Sequence, residues 1–196
     1  MLPESDWQAA RKEASDVALK AENESKSAFD RHAVVTDAAM LLAAAGSPAK
    51  AKEILQAEAL RSDTPWYYQS SLAMIYLDEK NFPAAIEWST KARESAKGHA
   101  TRIQWIVSDL VLQSKIPAES RPAGAFEAGF RSWLALAKSM PDGFSGRNAL
   151  RAQKVNAALE TGIPPATRTN LIADWRATCA QLKKESKQHC LKGLQK

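Results

Sequence analysis

Between residues 70 and 92 the chain reads SSLAMIYLDEKNFPAAIEWSTKA. Leu72, Ala73 and Tyr76 share one helical face, the polar run 78–81 interrupts, and Phe82, Ala85, Trp88 and Ala92 form a second stripe. Alanine buries less apolar area than leucine, so its place beside large residues needs another reason. Small residues let two helices approach closely, and bulky neighbours fill the groove around them. The same design recurs upstream. A shift of 34 residues places Ala73 and Met74 on Ala39 and Met40, Ala85 on Ala51, and Glu87 on Glu53. Tyr76 and Trp88 fall on Leu42 and Ile54, and Lys80 falls on Gly46 in the break between helices. This period predicts an array of helical hairpins.

The pattern continues less regularly. HATRIQWIVSDLVLQSK, with Ile106, Val107 and Leu110, opens a third unit, but the Pro- and Gly-bearing IPAESRPAGA intervenes before FEAGFRSWLALAKSM. After the turn PDG, the spacing predicts a helix over Asn148–Glu160, ended by Gly162 and the following proline pair. A last helix follows Pro165, with Thr167 or Thr169 as cap, and runs through Trp175 toward Cys190. Upstream, Ser5 and Gln8 have capping-box spacing for a first helix reaching about Lys26. No alternating strand pattern is present. The expectation is one all-α domain of eight or nine helices: an N-terminal helix in 1–31, repeats in 32–115, and an inserted loop with C-terminal helices in 116–196.

Residues 32–65 and 66–99 resemble tetratricopeptide repeats. Leu72, Ala73, Tyr76, Phe82, Ala85 and Ala92 stand where that motif has large, small, aromatic, aromatic, small and small residues. The second unit departs at Ser89, where an aromatic is usual, and the first at Pro48. The resemblance implies antiparallel hairpins stacked into a short curved solenoid, with each unit's first helix lining the concave surface. That surface would carry Asp37 and Met40, then Tyr67, Ser71, Met74 and Asp78, then Gln104, Trp105 and Ser108. Such groups suit an extended peptide or a packed protein domain. Core filling is an equal reading for Met74 and Trp105. The basic and asparagine clamp that some of these proteins use for a terminal carboxylate is not visible.

A wider resemblance covers most of the chain from about residue 30. Pro65-Trp66-Tyr67-Tyr68, Ala100 to Trp105, Asn148 with Arg151, and the pair Cys179 and Cys190 are similar to one helical region of known proteins. That region follows the thioredoxin-like domain in some exported bacterial thioredoxin-family proteins. The resemblance implies an accessory region of a periplasmic or otherwise exported thiol–disulfide protein, with a thioredoxin-like domain as a possible partner. The redox C-x-x-C is absent, so architecture and compartment carry over and activity does not.

The cysteines leave two readings open. In an unbroken helix, eleven residues would separate their α-carbons by about 16 Å. A disulfide needs less than about 7 Å. Cys179 and Cys190 therefore pair only if the helix turns back within AQLKKESKQH, which holds no glycine or proline. By spacing alone, both are small apolar fillers on the face of Ile172, Trp175 and Leu182. The thioredoxin-family resemblance implies instead a bridge that pins a final short helix.

Composition removes some classes. No apolar run reaches the roughly 18 residues a membrane span requires. The start, MLPESDWQAARKEA, lacks the basic-then-apolar order of a signal peptide, which fits either a cytosolic chain or a fragment without its leader. From Gly146 onward ten lysines and arginines stand against Glu160, Asp174 and Glu185, within a net charge of +5 over 196 residues. The last basic stretch has no aromatic residue to stack on bases, which argues against nucleic acid. His32, His99 and His189 lack metal-ligand spacing, and no nucleophile, phosphate or dinucleotide motif appears. The expectation is no cofactor, no metal and no catalytic residue. Gly143, Ser145, Gly146 and Arg147 could hold an anion at a helix start, although a tight turn explains them as well. Three classes remain: an exported interaction module, a cytosolic repeat scaffold, and a helical-bundle enzyme or ligand binder whose site is not visible in the sequence.

Overall fold

The computed structural model describes residues 4–194, without the side chains of Ala28, Phe29 and His32. The described chain is all-helical, with no strand. In order, the helices are α1 (Glu4–Glu24), α2 (Ala28–Ala44), α3 (Pro48–Arg61), α4 (Trp66–Asp78) and α5 (Phe82–Ser95). They continue as α6 (His99–Ser114), α7 (Ala125–Ser139), α8 (Arg147–Gly162), α9 (Pro165–Ala180) and α10 (Lys184–Lys192). None of the described helices is long and apolar enough to cross a membrane. The chain forms two compact units, Met1–Ser95 and Ala96–Lys196. The boundary between them falls inside the span 32–115 that the repeat pattern assigns to one array.

In the first unit each helix packs on the next, and α2 also meets α4. The 34-residue period reappears in the backbone. At the end of α2, the Ala45 N–H donates to Leu41, Gly46 to Ala43 and Ser47 to Leu42. At the end of α4, Glu79 donates to Ile75, Lys80 to Leu77 and Asn81 to Tyr76, each pair shifted by 34. These are the reciprocal bonds of a Schellman turn, which needs a left-handed residue at its centre. Gly46 has φ 93° and Lys80 has φ 59°. The small positions also match: Ala39, Ala51, Ala73 and Ala85 are all fully buried. Lys80 is the one described non-glycine residue with positive φ, a conformation that costs an L-residue about 1–2 kcal/mol. Lys80→Gly is therefore expected to stabilise the first unit by about 1 kcal/mol in urea unfolding.

At the start of α2, the Ser27 hydroxyl accepts from the Asp30 N–H at 3.0 Å. The capping box expected at Ser5 and Gln8 does not form, because Ser5 already lies inside α1 and its hydroxyl faces Asp6 at 3.4 Å. Glu58, at 3% exposure, is the buried acid of this unit. Arg31 donates to it from Nε at 2.5 Å and to Glu22 from Nη2 at 2.7 Å, tying α1, α2 and α3 together. Arg61 also donates to Glu58.

The second unit is built on aromatic packing. The Trp133 and Trp175 rings meet edge-on with centroids 4.7 Å apart, and Phe130 and Phe144 pack beside them. Ile106, Val107 and Leu110 of α6 join this core. Helix α6 packs on α7 and α8, so the companion helix does follow the inserted loop, which carries a 3₁₀ turn at Ala118–Ser120. Gly162 is required by close approach, since a Cβ there would lie 2.1 Å from the Ser114 carbonyl oxygen.

Two expectations are corrected at the C-terminal end. Helix α9 starts at Pro165 after Pro164, with no side-chain cap, and the Thr169 hydroxyl donates back to the Pro165 carbonyl within the helix. The last helix is not continuous. Gln181 and Leu182 donate to Thr178 and Cys179 in a tightened final turn, and the chain restarts as α10. Leu182 packs against the core at this break, which supplies an apolar anchor where no glycine or proline marks the turn.

Candidate functional site

The surface residues expected on the first unit lie on α2 and α4. Asp37 and Ser71, like Met40 and Met74, are 34 residues apart on two helices that pack together. Asp37 and Asp78 are exposed, Met40, Ser71 and Met74 are half-buried, and Tyr67 is 38% exposed. The alternation follows helix geometry: residues 67, 71, 74 and 78 recur every three or four positions. The adjoining positions Leu72, Ala73 and Ile75 face inward and are buried.

The three residues expected on α6 fare differently. Trp105 is buried at 7% exposure, which matches the core-filling reading of the two left open for it. Helix α6 is enclosed around much of its circumference, with Ile103, Ile106, Asp109 and Leu112 buried on several faces. Gln104 is engaged, its side-chain oxygen accepting from Arg151 Nη2 at 2.8 Å. Arg151 also donates to Asn148 at 2.8 Å, and Asn148 donates to the Asp142 carbonyl at 3.0 Å. Burial first, and Arg147 second, pull the Arg151 guanidinium below the usual arginine value, against the opposing pull of Asp142. Ser108 is half-buried.

Cys179 and Cys190 form a disulfide, with α-carbons 5.6 Å apart and both residues fully buried. The break between α9 and α10 brings them together, which resolves the two readings left open by the spacing. Beside the bridge lies a cavity of about 580 Å³. One wall is the end of α7 and the loop to α8, including Lys138, Met140, Phe144 and Ser145. The other is the α9–α10 turn and α10, including Lys183, Glu185 and His189. A smaller cavity of about 280 Å³ is lined by Arg121, Glu127, Phe126 and Pro164. Burial lowers Arg121 below the usual arginine value, with Glu127 and Glu119 pulling the other way.

The 580 Å³ cavity was not foreseeable from local motifs, because its walls come from 137–145 and 181–189 and depend on the unmarked helix break. Of the residues considered for anion binding, Gly143 and Ser145 line this cavity, whereas Gly146 and Arg147 do not. His99 is exposed at the start of α6, and the His32 side chain lies outside the described residues. Among the described residues no three metal-ligating side chains converge. No protein-family model matches the chain, and no curated protein and no solved structure matches it either.

Proposed function

We propose that the chain is a non-catalytic protein–protein interaction module, the accessory helical region of an exported thioredoxin-like thiol–disulfide protein. In this reading α2–α3 and α4–α5 are stacked tetratricopeptide-like hairpins, part of a short curved solenoid. Their first helices present Asp37, Met40, Tyr67, Ser71, Met74 and Asp78 to a peptide or a neighbouring domain. The observation that carries the reading is the in-register return of the hairpin turn, with left-handed Gly46 and Lys80 at its two centres. Repeated geometry repeats a surface, and tandem helical hairpins use that surface for binding. The Cys179–Cys190 bond supports the exported compartment, since structural disulfides persist where the environment is oxidising.

The genomic reading frame tests the association with a thioredoxin-like domain: coding sequence for such a domain, with its C-x-x-C, is expected upstream in the same frame. An unrelated upstream gene with its own stop codon would remove that part of the proposal. The surface is tested with the thioredoxin-like domain as ligand. Tyr67→Ala is expected to weaken association at least about tenfold, about 1.4 kcal/mol, while changing stability by less than about 1 kcal/mol. Leu60→Ala, at a side chain 90% exposed on α3, should change neither. A Tyr67→Ala chain that melts early but binds normally would assign Tyr67 to packing.

A further inference from the structure

The cavity beside the disulfide is a separate feature and does not depend on the interaction-module reading. Gln181, Leu182, Lys183, Glu185, Ser186 and His189 all line it, and all lie within the span closed by the Cys179–Cys190 bond. One complete wall is therefore held in place by a covalent link. The volume, about 580 Å³, is within the range of small-molecule sites.

The lining has two chemical parts. Met140, Pro141, Phe144 and Leu182 supply apolar surface. Lys138, Lys183 and His189 supply donors, against the single carboxylate of Glu185. Lys138 is occupied, its Nζ donating to Gln181 Oε1 at 2.5 Å. Lys183 is exposed and His189 half-buried, and both line the cavity. Two such donors beside an apolar wall match a ligand that carries negative charge at one end and hydrocarbon at the other.

We propose that this cavity binds a small organic carboxylate with an apolar body, and does so only while Cys179 and Cys190 are bonded. Lys183 and His189 take the carboxylate, and Met140, Phe144 and Leu182 take the carbon chain. Reduction lets the wall formed by 181–189 move away from the loop after α7, and the two halves of the site separate.

The test uses the full chain, with hexanoate, hexanamide and inorganic phosphate titrated separately and backbone amide resonances followed. Hexanoate is expected to shift residues 140–145 and 181–189 and to bind at least about tenfold tighter than either hexanamide or phosphate. The double variant Lys183→Gln with His189→Gln is expected to remove the preference, bringing hexanoate affinity down to that of hexanamide. Both side chains are outside the aromatic core, so this variant keeps the test independent of folding. Reduction with dithiothreitol should weaken hexanoate binding at least tenfold while resonances of the first unit stay in place. Equal binding of hexanoate and hexanamide, phosphate binding as tightly at the same residues, or no shift with any probe at millimolar concentration would overturn the carboxylate site. Hexanoate binding that survives reduction would overturn its dependence on the bridge.

Discussion

Replacing Cys179 and Cys190 together by alanine is expected to destabilise the second unit by about 3 kcal/mol and to release α10. The bond joins residues eleven apart, and closing so short a loop removes about that much conformational freedom from the unfolded chain. Apart from the bond, Leu191 is the residue of helix α10 that packs against the apolar core, and it is only partly buried. The helix's nine residues are mostly charged or polar, and Cys190 is its only buried member. A helix of this length does not persist alone in water. Its release also uncovers Trp175, because Gly193 lies against that indole, so close that a Cβ would stand 2.8 Å from the ring. Amide exchange should therefore accelerate over 184–194, and tryptophan emission should move to longer wavelength. The native, unreduced protein should contain no alkylatable thiol. Two alkylated cysteines in that protein, or unchanged exchange in the alanine variant, would contradict this role for the bridge.

Arg31→Met should cost the first unit about 3 kcal/mol. The side chains of Arg31 and Glu58 are 17% and 3% exposed, so solvent screens the pair only weakly. Methionine fills much of the arginine stem's volume but leaves Glu58 buried without its main partner. Arg61 remains, but its side chain is 54% exposed and shares its charge with water, which places the expectation at the low end for a broken buried pair. The Glu22 carboxylate on α1 also loses its arginine. The diagnostic step is the double variant Arg31→Met with Glu58→Leu. Removing both charges should recover most of the loss, because the penalty lies in an uncompensated charge rather than in a lost attraction. Urea unfolding of the two variants separates the cases. A neutral single variant, or a double variant worse than the single, would rule out this explanation.

The fold class was legible because helix packing leaves a periodic trace. Ala39, Ala51, Ala73 and Ala85 mark places where two backbones approach, and burial bears out each of them. The matching of Gly46 with Lys80 carried the turn geometry as well, although lysine by itself would not predict a left-handed residue. Trp105 was less legible, because an amphipathic pattern distinguishes helix faces and does not say how much of a helix becomes enclosed. The break after Ala180 left little local trace: Gln181, Leu182 and Lys183 are ordinary helix residues, and the turn depends on the distant packing of Leu182 and on the sulfur bond. A cavity assembled across that break is illegible for the same reason.

Site-specific photocrosslinking in cells that produce the full gene product tests the shared surface of α2 and α4 most directly. A benzophenone side chain would be placed in turn at Asp37, Tyr67, Met74 and, as an exposed control, Leu60. The interaction-module account predicts one discrete protein adduct common to the first three positions and none from Leu60. Adducts of equal yield from all four positions, or none from Asp37, Tyr67 and Met74, would contradict it.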